Sequence, residues 1–488
     1  MPINTKEIEF GKREDRLGTI TGYQGTLNDL VVKSQCGALG DRRRCFSQAN
    51  SCSSECAHNY LAGIVDAVII NHAPIGCSSD SILYNAQYNT EQKIMGWQHT
   101  NIGFFSTNMT KEDTVFGATG KLQDTIREVY ALYKPNAIFI TTSCVSGIIG
   151  EDIKGALDEL KEEVPIPLAP VFCEGFKSKT WSSGWDAAFH AILTSIVKPP
   201  RFKTNKVNMI NFHGGSRAQM AEILARLNLE AVFMVPTGTI ENLSRMSEAA
   251  ATITVCETLG TYVGNALEQQ YGVPFIKCLN PHGIAGIENC LRELGKVTEK
   301  EIEVEAYLQE EKEKYEPEFL EIKQKLDGVK VAVGMGAGFA LDYTRVLKEL
   351  GTDVVWVSAW HFDQTLDDGT CPKAYTSLAA SDANLPISVN DMQNYELVNI
   401  LQKVQPDIYI SRHRGTGVFA AKLGIAAIIE NEQDSLFGYE GTTRFGYQLL
   451  DLLTNRNWER NLAQRLKLPY TNWWLKQDNC SLYEEEAE

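Results

Sequence analysis

Apolar positions along this chain come in short β-branched runs, separated by stretches whose apolar residues recur at helical spacing. DAVIINH (66–72) and NAIFITT (136–142) are near-continuous apolar runs bounded by turn residues, which predicts buried strands. GKLQDTIREVYALYKP (120–135) and EDIKGALDELKEEV (151–164) place apolar residues three and four apart, which predicts amphipathic helices, and IPLAPVFCEGF adds a further strand. A second series starts with the strand VNMINFHGG and the helix SRAQMAEILARLNLE. A third opens with KVAVGMGAGFALDYTRVLKELG, continues through TDVVWVSAW and PDIYISRH, and ends with AAIIENEQD and the helix TRFGYQLLDLLTN. Strand–helix alternation of this kind belongs to right-handed βαβ units on mostly parallel sheets. The fold class expected is α/β, with three Rossmann-like parallel-sheet domains.

The same pattern sets the boundaries. Residues 1–50 are polar and rich in Gly and Arg, and read as an N-terminal arm. An α/β domain over 51–203 ends at the linker KPPRFKTNK, and a second over 204–327 ends in the charged helical stretch Val297–Leu326, which reads as a solvated connector. The third spans 328–488 and includes a C-terminal extension, RLKLPYTNWWLKQDNCSLY.

Composition narrows the functional classes. With 46 basic against 62 acidic residues the formal charge is −16, which disfavours nucleic acid and anionic membrane as partners. Apolar runs are short and the N-terminus, MPINTKEIEFGKRED, is charged and lacks a signal-peptide core, so a soluble, cytoplasmic protein is expected. That compartment keeps thiols reduced, so the twelve cysteines point to metal or iron–sulfur ligation rather than disulfides.

Cys77 and Cys144 each lie just beyond a predicted strand, and Cys52 or Cys56 adds a third thiol from the polar loop before a helix. In open α/β sheets ligands gather at the carboxyl ends of strands. An isolated cysteine is usually a small buried hydrophobe, but three at equivalent turn positions favour a cluster. Cys256 follows a strand and precedes a helix in a different α/β unit, so it marks a second site. Cys278, Cys290, Cys371 and Cys480 lack comparable spacing and read as structural, and His72 and His213 read as packing residues. GMGAG (334–338) sits between strand and helix as a dinucleotide turn would, yet SAWHFD replaces the acidic residue expected after the next strand. A tight turn beside another cofactor fits better. No GxxxxGK[ST] loop is present, so any ATP must come with a partner.

HAPIGC (72–77), NMTKEDTVFG (108–117), SCVSGIIGEDI (143–153), CEGF (173–176), Cys256 followed by YGVPF, and PDIYISRH (406–413) together resemble the nitrogenase component 1 α-subunit-like family. The resemblance implies that Cys52, Cys77 and Cys144 are ligands of an 8Fe-7S P-cluster, or a 4Fe-4S variant, shared with a homologous β subunit in an α2β2 assembly. An ungapped match to cofactor-scaffold relatives lands on Cys52, with Cys56 as the fallback. It likewise implies that Cys256 is the thiolate ligand of a nitrogenase-type 8Fe-9S-carbide cluster, and that an ATP-dependent 4Fe-4S iron protein is the reductase.

Departures from the family pattern sharpen the reading. Asn431 stands where nitrogenases place a His ligand, and a neutral amide is a poor ligand for iron or molybdenum. Trp181 and Trp185 follow CEGF where molybdenum nitrogenase has a pocket Gln and His. SRHRGTGVF lacks a lysine for homocitrate, leaving Arg412 or Arg414 for another role. A cluster without molybdenum is therefore expected, with His190 or Glu430 as proton donor. Three functions follow: a reductase of small apolar substrates resembling methylthio-alkane reductase, an E-type scaffold for cofactor assembly, or an iron-only nitrogenase. The C-terminal extension and CEGF favour an enzyme over the scaffold, and Asn431 favours the scaffold over a nitrogenase.

Overall fold

The computed structural model describes residues 3–7, 10–41, 52–79, 81–94, 103–390, 394–412, 415–430 and 436–476. Its strands, in chain order, are β1 (Gly22–Thr26), β2 (Ala67–His72), β3 (Gly103–Ser106), β4 (Ala137–Thr142), β5 (Leu168–Val171), β6 (Lys206–Ile210), β7 (Glu230–Val235), β8 (Ala251–Thr254), β9 (Lys330–Met335), β10 (Asp353–Ala359), β11 (Pro386–Asn390), β12 (Ile408–Ser411) and β13 (Ala426–Ile429). They form three sheets, as the α/β reading expects, with orders β3-β2-β4-β5, β7-β6-β8 and β1-β11-β10-β9-β12-β13. All pairings are parallel except that of β1 with β11. No helix among the described residues is long and apolar enough to cross a membrane.

The three sheets are distributed over two compact units. One comprises Met1–Arg16, Asn50–Val255 and Leu259–Ile276; the other comprises Leu17–Ala49, Cys256–Thr258 and Lys277–Glu488.

In the first unit, β2 and β4 are buried on both faces, which explains their unbroken apolar runs. Their register sets His72 opposite Thr142, so both strands end level. The turns carrying Cys77 and Cys144 therefore leave the sheet at the same edge. Helix Ser53–Leu61 packs on helix Ser183–Ser195 so closely that a Cβ at Gly184 would lie 1.9 Å from the Ser53 carbonyl oxygen. Only glycine permits that approach.

In the second unit, part of the expected arm is structured. β1 pairs with β11 as an edge strand, and Thr26 caps helix Leu27–Gln35 by accepting from the Asp29 amide. The expected solvated connector is also corrected. Helix Glu301–Leu326 buries Val304, Tyr307, Leu308, Phe319, Ile322 and Leu326, an apolar stripe at three- and four-residue spacing, against helix Gly438–Thr454. Gly446 makes room for this contact, since a Cβ there would come within 2.4 Å of Ile322. The dense charges hid a narrow apolar seam in two parts, Val304 to Leu308 and Phe319 to Leu326.

Candidate functional site

The first unit gathers three thiols at one sheet edge. Cys77 lies in the 3-10 turn Ile75–Ser78 directly after β2, and Asn71 reaches forward from that strand, donating to the Cys77 carbonyl at 3.0 Å. Cys144 is the first residue of helix Cys144–Ile149, which Ser143 and Ser146 close with a reciprocal capping box. The Ser143 hydroxyl also donates to the His72 carbonyl at 2.9 Å and so ties the two turns together. Cys52 is the N-cap of helix Ser53–Leu61. A Cβ on Gly175, in the CEGF segment, would lie 3.2 Å from Cys52 Sγ and 3.6 Å from Cys144 Sγ. One glycine thus fits beside two of the thiols.

The electrostatics agree with this grouping. Partial burial pushes the Cys77 thiol up, and the neighbouring Cys144 and Cys52 thiols push it further in the same direction. Cys56, the fallback first ligand, is buried one helical turn on, and burial raises its thiol well above the ordinary range. Cys52 is the one beside Gly175, half-buried. Among the described residues no three His, Cys, Asp or Glu side chains converge to hold a single metal ion.

This edge carries an apolar rim that sequence patterning did not single out. Ile75, Ile148 and Phe176, each within a few residues of a thiol or of Gly175, are 63%, 73% and 55% exposed. Helix Lys111–Phe116, packed on the Cys144 helix, ends in Phe116 at 86% exposure. Consecutive or clustered apolar side chains left in water mark an interaction surface more often than they mark chance.

The second unit holds Cys256 in a different setting. It is buried, immediately before helix Glu257–Tyr271, with its sulfur 3.2 Å from Thr258 Oγ1. A Cβ at Gly338 would lie 2.5 Å from Cys256 Sγ, closer than real side chains approach. The Gly334–Gly338 turn is thereby explained: β9 leads into helix Ala337–Glu349, whose second residue lacks a side chain where the thiol sits. Asn280 accepts from the Glu257 amide at 2.7 Å and donates to Asp342 at 2.6 Å, while Arg345 bonds Asp342 at 3.1 Å and the carbonyls of Asn280 and His282. Burial, then the Asp342 charge, raise the Glu257 carboxyl to about 8 despite amide bonds from Lys373 and Ala374. The Arg412 guanidinium stacks 3.9 Å above the Phe339 ring, one residue from Gly338.

The remaining expected site residues fall as follows. Trp185 packs at 4.7 Å against Tyr60 at the core of the first unit, and Trp181 is half-buried just before the same helix. His190 is buried in the first unit, with Nδ1 hydrogen-bonded to the Tyr262 hydroxyl at 2.8 Å and Nε2 to the Glu7 carbonyl at 3.1 Å. Glu430 follows β13, its amide donating to the Ser411 carbonyl at 2.7 Å. Asn431 and Arg414 lie outside the described residues.

A family model described as nitrogenase component 1 type oxidoreductase matches residues 52–454. The chain belongs to this family. Among relatives, the nitrogenase molybdenum-iron protein alpha chain of Clostridium pasteurianum is 24% identical over 466 residues, covering 83% of this chain and 86% of that protein. The nitrogenase iron-molybdenum cofactor biosynthesis protein NifE of Methanococcus maripaludis is 27% identical over 416 residues, covering 83% and 82%. The solved structure of nitrogenase Cp1 at pH 6.5 shares the fold with a TM-score of 0.72 at 22% identity, over 88% of this chain and 93% of that one. Within the component 1 family the similarity extends evenly to alpha chains and to the assembly protein, and it does not by itself separate the two. The matched region begins at Cys52, includes both thiol sites and excludes the N-terminal segment.

Proposed function

We propose that this chain is the α subunit of a nitrogenase-like reductase. Cys52, Cys77 and Cys144 share an iron–sulfur P-cluster, 8Fe-7S or a 4Fe-4S variant, with a homologous β subunit seated on the Ile75, Ile148 and Phe176 rim. A separate ATP-dependent iron protein brings low-potential electrons, and Cys256 holds the active-site cluster. The observation that carries this reading is the presence of two dissimilar thiol environments in one chain. Three thiols at a half-open apolar edge suit a group completed by a partner, whereas one buried thiol facing a missing side chain at Gly338 suits a group enclosed by protein. Both donor sets fit: thiolate is the soft ligand that iron–sulfur clusters use.

The cluster at Cys256 would be a nitrogenase-type 8Fe-9S-carbide cluster, and when bound it supplies multi-electron reduction. With Asn431 a neutral amide, no strong second ligand is on offer and molybdenum is absent. By resemblance, Trp181 and Trp185 stand where molybdenum nitrogenase has a pocket Gln and His, and two indoles in those roles favour a methylthio-alkane over dinitrogen. Dimethyl sulfide, two electrons and two protons give methane and methanethiol. His190 or Glu430 is the candidate acid.

One observation favours a second reading. Asn431 and the similarity to NifE fit an E-type scaffold that carries the cluster and passes it on. The purified αβ complex with its iron protein, ATP and dimethyl sulfide separates the alternatives. Methane, with iron but no molybdenum, supports the reductase. Transfer of the cluster to apo-nitrogenase without thioether turnover establishes the scaffold, and ammonia from dinitrogen establishes an iron-only nitrogenase. Turnover with NADH and no iron protein would overturn the electron route.

A further inference from the structure

The N-terminal segment, which the family match does not cover, is bound to the loop that flanks two of the thiols. Within the first unit, residues 173–183 run from the CEGF segment to helix Ser183–Ser195. At its start the Ser53 hydroxyl contacts the Cys173 and Glu174 carbonyls at 3.1 and 3.3 Å, and Gly175 then abuts Cys52 and Cys144. The middle of the loop is held from outside. The Glu14 carboxylate accepts from the Lys179 amide, from the Thr180 amide at 3.1 Å and from the Ser178 hydroxyl at 2.9 Å.

The far end is held by the same short segment. Arg13 is fully buried and grips Asp186 through two bonds of 2.7 and 2.8 Å, and its amide donates to Ser183 Oγ at 3.3 Å. Arg16 adds a second guanidinium to Asp186 and lies 4.8 Å over the Tyr262 ring. Within the loop the Ser178 hydroxyl also bonds the Thr180 carbonyl and Ser183 Oγ at 3.0 and 2.9 Å, while Thr180 Oγ1 and Ser182 Oγ are buried without a hydrogen-bond partner. Charge-assisted bonds to Glu14 and Asp186 are therefore the strong ones in the region.

We propose that Arg13, Glu14 and Arg16 form a positioning strap that fixes the 174–183 loop and, through Gly175, sets the spacing of Cys52 and Cys144. Glu14 acts by aligning the amides of Lys179 and Thr180; it touches neither sulfur. A strap of this kind tunes whatever the two thiols hold, and that part rests on the cluster assignment above. The geometric part does not.

Two measurements on Glu14→Gln separate these parts. Gln keeps the shape but removes the charge: its single oxygen can still face the Lys179 and Thr180 amides, now as a weaker neutral acceptor, and its NH2 meets the Ser178 hydroxyl. In the full-length chain with iron removed by chelation, iodoacetamide labelling followed by mass spectrometry should show Cys52 and Cys144 alkylating several-fold faster than in the native chain. Cys36, exposed on the other unit, serves as the internal reference and should be unchanged. In the assembled αβ complex, the midpoint potential and electron paramagnetic resonance signal of the interface cluster should shift at unchanged iron content. Lys12→Ala, an exposed neighbour in the same segment, should alter neither reading.

Equal alkylation rates and an unchanged signal, with only a lower melting temperature, would overturn the strap and leave the segment a simple stabiliser. Where Glu14→Gln fails to accumulate, Glu14→Asp keeps the charge, shortens the reach to the Lys179 and Thr180 amides and is read by the same criteria. An iron-free native complex would sink the cluster assignment alone, because the alkylation comparison still decides the strap.

Discussion

Gly338 and Cys256 are fitted to each other: the thiol occupies the place a side chain at 338 would fill, with 2.5 Å from that Cβ position to Sγ. Overpacking a filled site typically costs about 1–3 kcal/mol and moves the group that yields most easily. Here that group is the sulfur. Gly338→Ala should lower the iron bound at the active site while leaving the interface cluster signal intact. Iron analysis paired with electron paramagnetic resonance checks this; equal loss of both signals would mean general unfolding instead.

Gly175→Ala should give the complementary result. Its Cβ would come within 2.9 Å of Cys52 Cβ and 3.6 Å of Cys144 Sγ. The interface signal should weaken and the partner should dissociate more readily, with the Cys256 iron retained. Size-exclusion chromatography of the αβ complex reads the second effect. A stable complex with a native interface signal would contradict the proximity argument.

Cys52 and Cys56 should behave oppositely. Cys52→Ala removes a half-buried thiol beside Gly175 and should cost both interface iron and partner, whereas Cys56→Ala removes a buried sulfur. The latter should keep its iron and lose about 1 kcal/mol through lost packing, visible as a small drop in melting temperature. Iron loss on Cys56→Ala would reverse the assignment.

Asp342→Ala should be among the more damaging single changes in the second unit. Asp342 is fully buried and accepts from both Asn280 and Arg345. Removing one partner of a buried ion pair costs roughly 3–5 kcal/mol, because the remaining charge is left uncompensated. Asn280 also fixes the Glu257 amide, so the residue after Cys256 should loosen. Thermal unfolding reports the first effect, and alkylation of Cys256 in the iron-free chain should speed up several-fold.

Much of this was legible in the chain. The β2 and β4 runs announced buried parallel strands because each opens on four apolar residues in a row, and Pro74 and Gly76 marked the exit before Cys77, whereas the exit before Cys144 is marked by Ser143. Other features were not legible, for physical reasons. Residues 297–326 present so many charges that the apolar seam facing helix Gly438–Thr454 is invisible without the partner helix. His190 reads as free in one dimension because Tyr262 and Glu7, its two partners, are 72 and 183 residues away. Gly175 and Gly338 look like ordinary turn glycines until the sulfur beside each is located. The Gly338 signal was present in GMGAG, which read as a tight turn beside a cofactor, but the sequence does not show that the Cys256 thiol itself fills the space.

Acid sensitivity should trace in part to His58. Its ring is buried among Ser54, Thr141 and Phe104, with Nε2 hydrogen-bonded to the Thr141 hydroxyl at 2.8 Å, and burial lowers its pKa to about 3. An unfolded chain protonates the same group near 6.5. Between those values the unfolded state binds the extra proton, so stability attributable to neutral His58 is complete above about pH 6.5 and is lost as pH falls toward 3. The steepest loss is roughly 1.4 kcal/mol per pH unit. His58→Gln retains a group able to bond Thr141 and has no proton to take up. At pH 7 the variant should be no more stable than the native chain, and by pH 5 the gap should have narrowed or reversed. Urea midpoints of the iron-depleted full-length chain at the two pH values decide it. A gap that stays constant across this window would show that His58 does not carry the acid response.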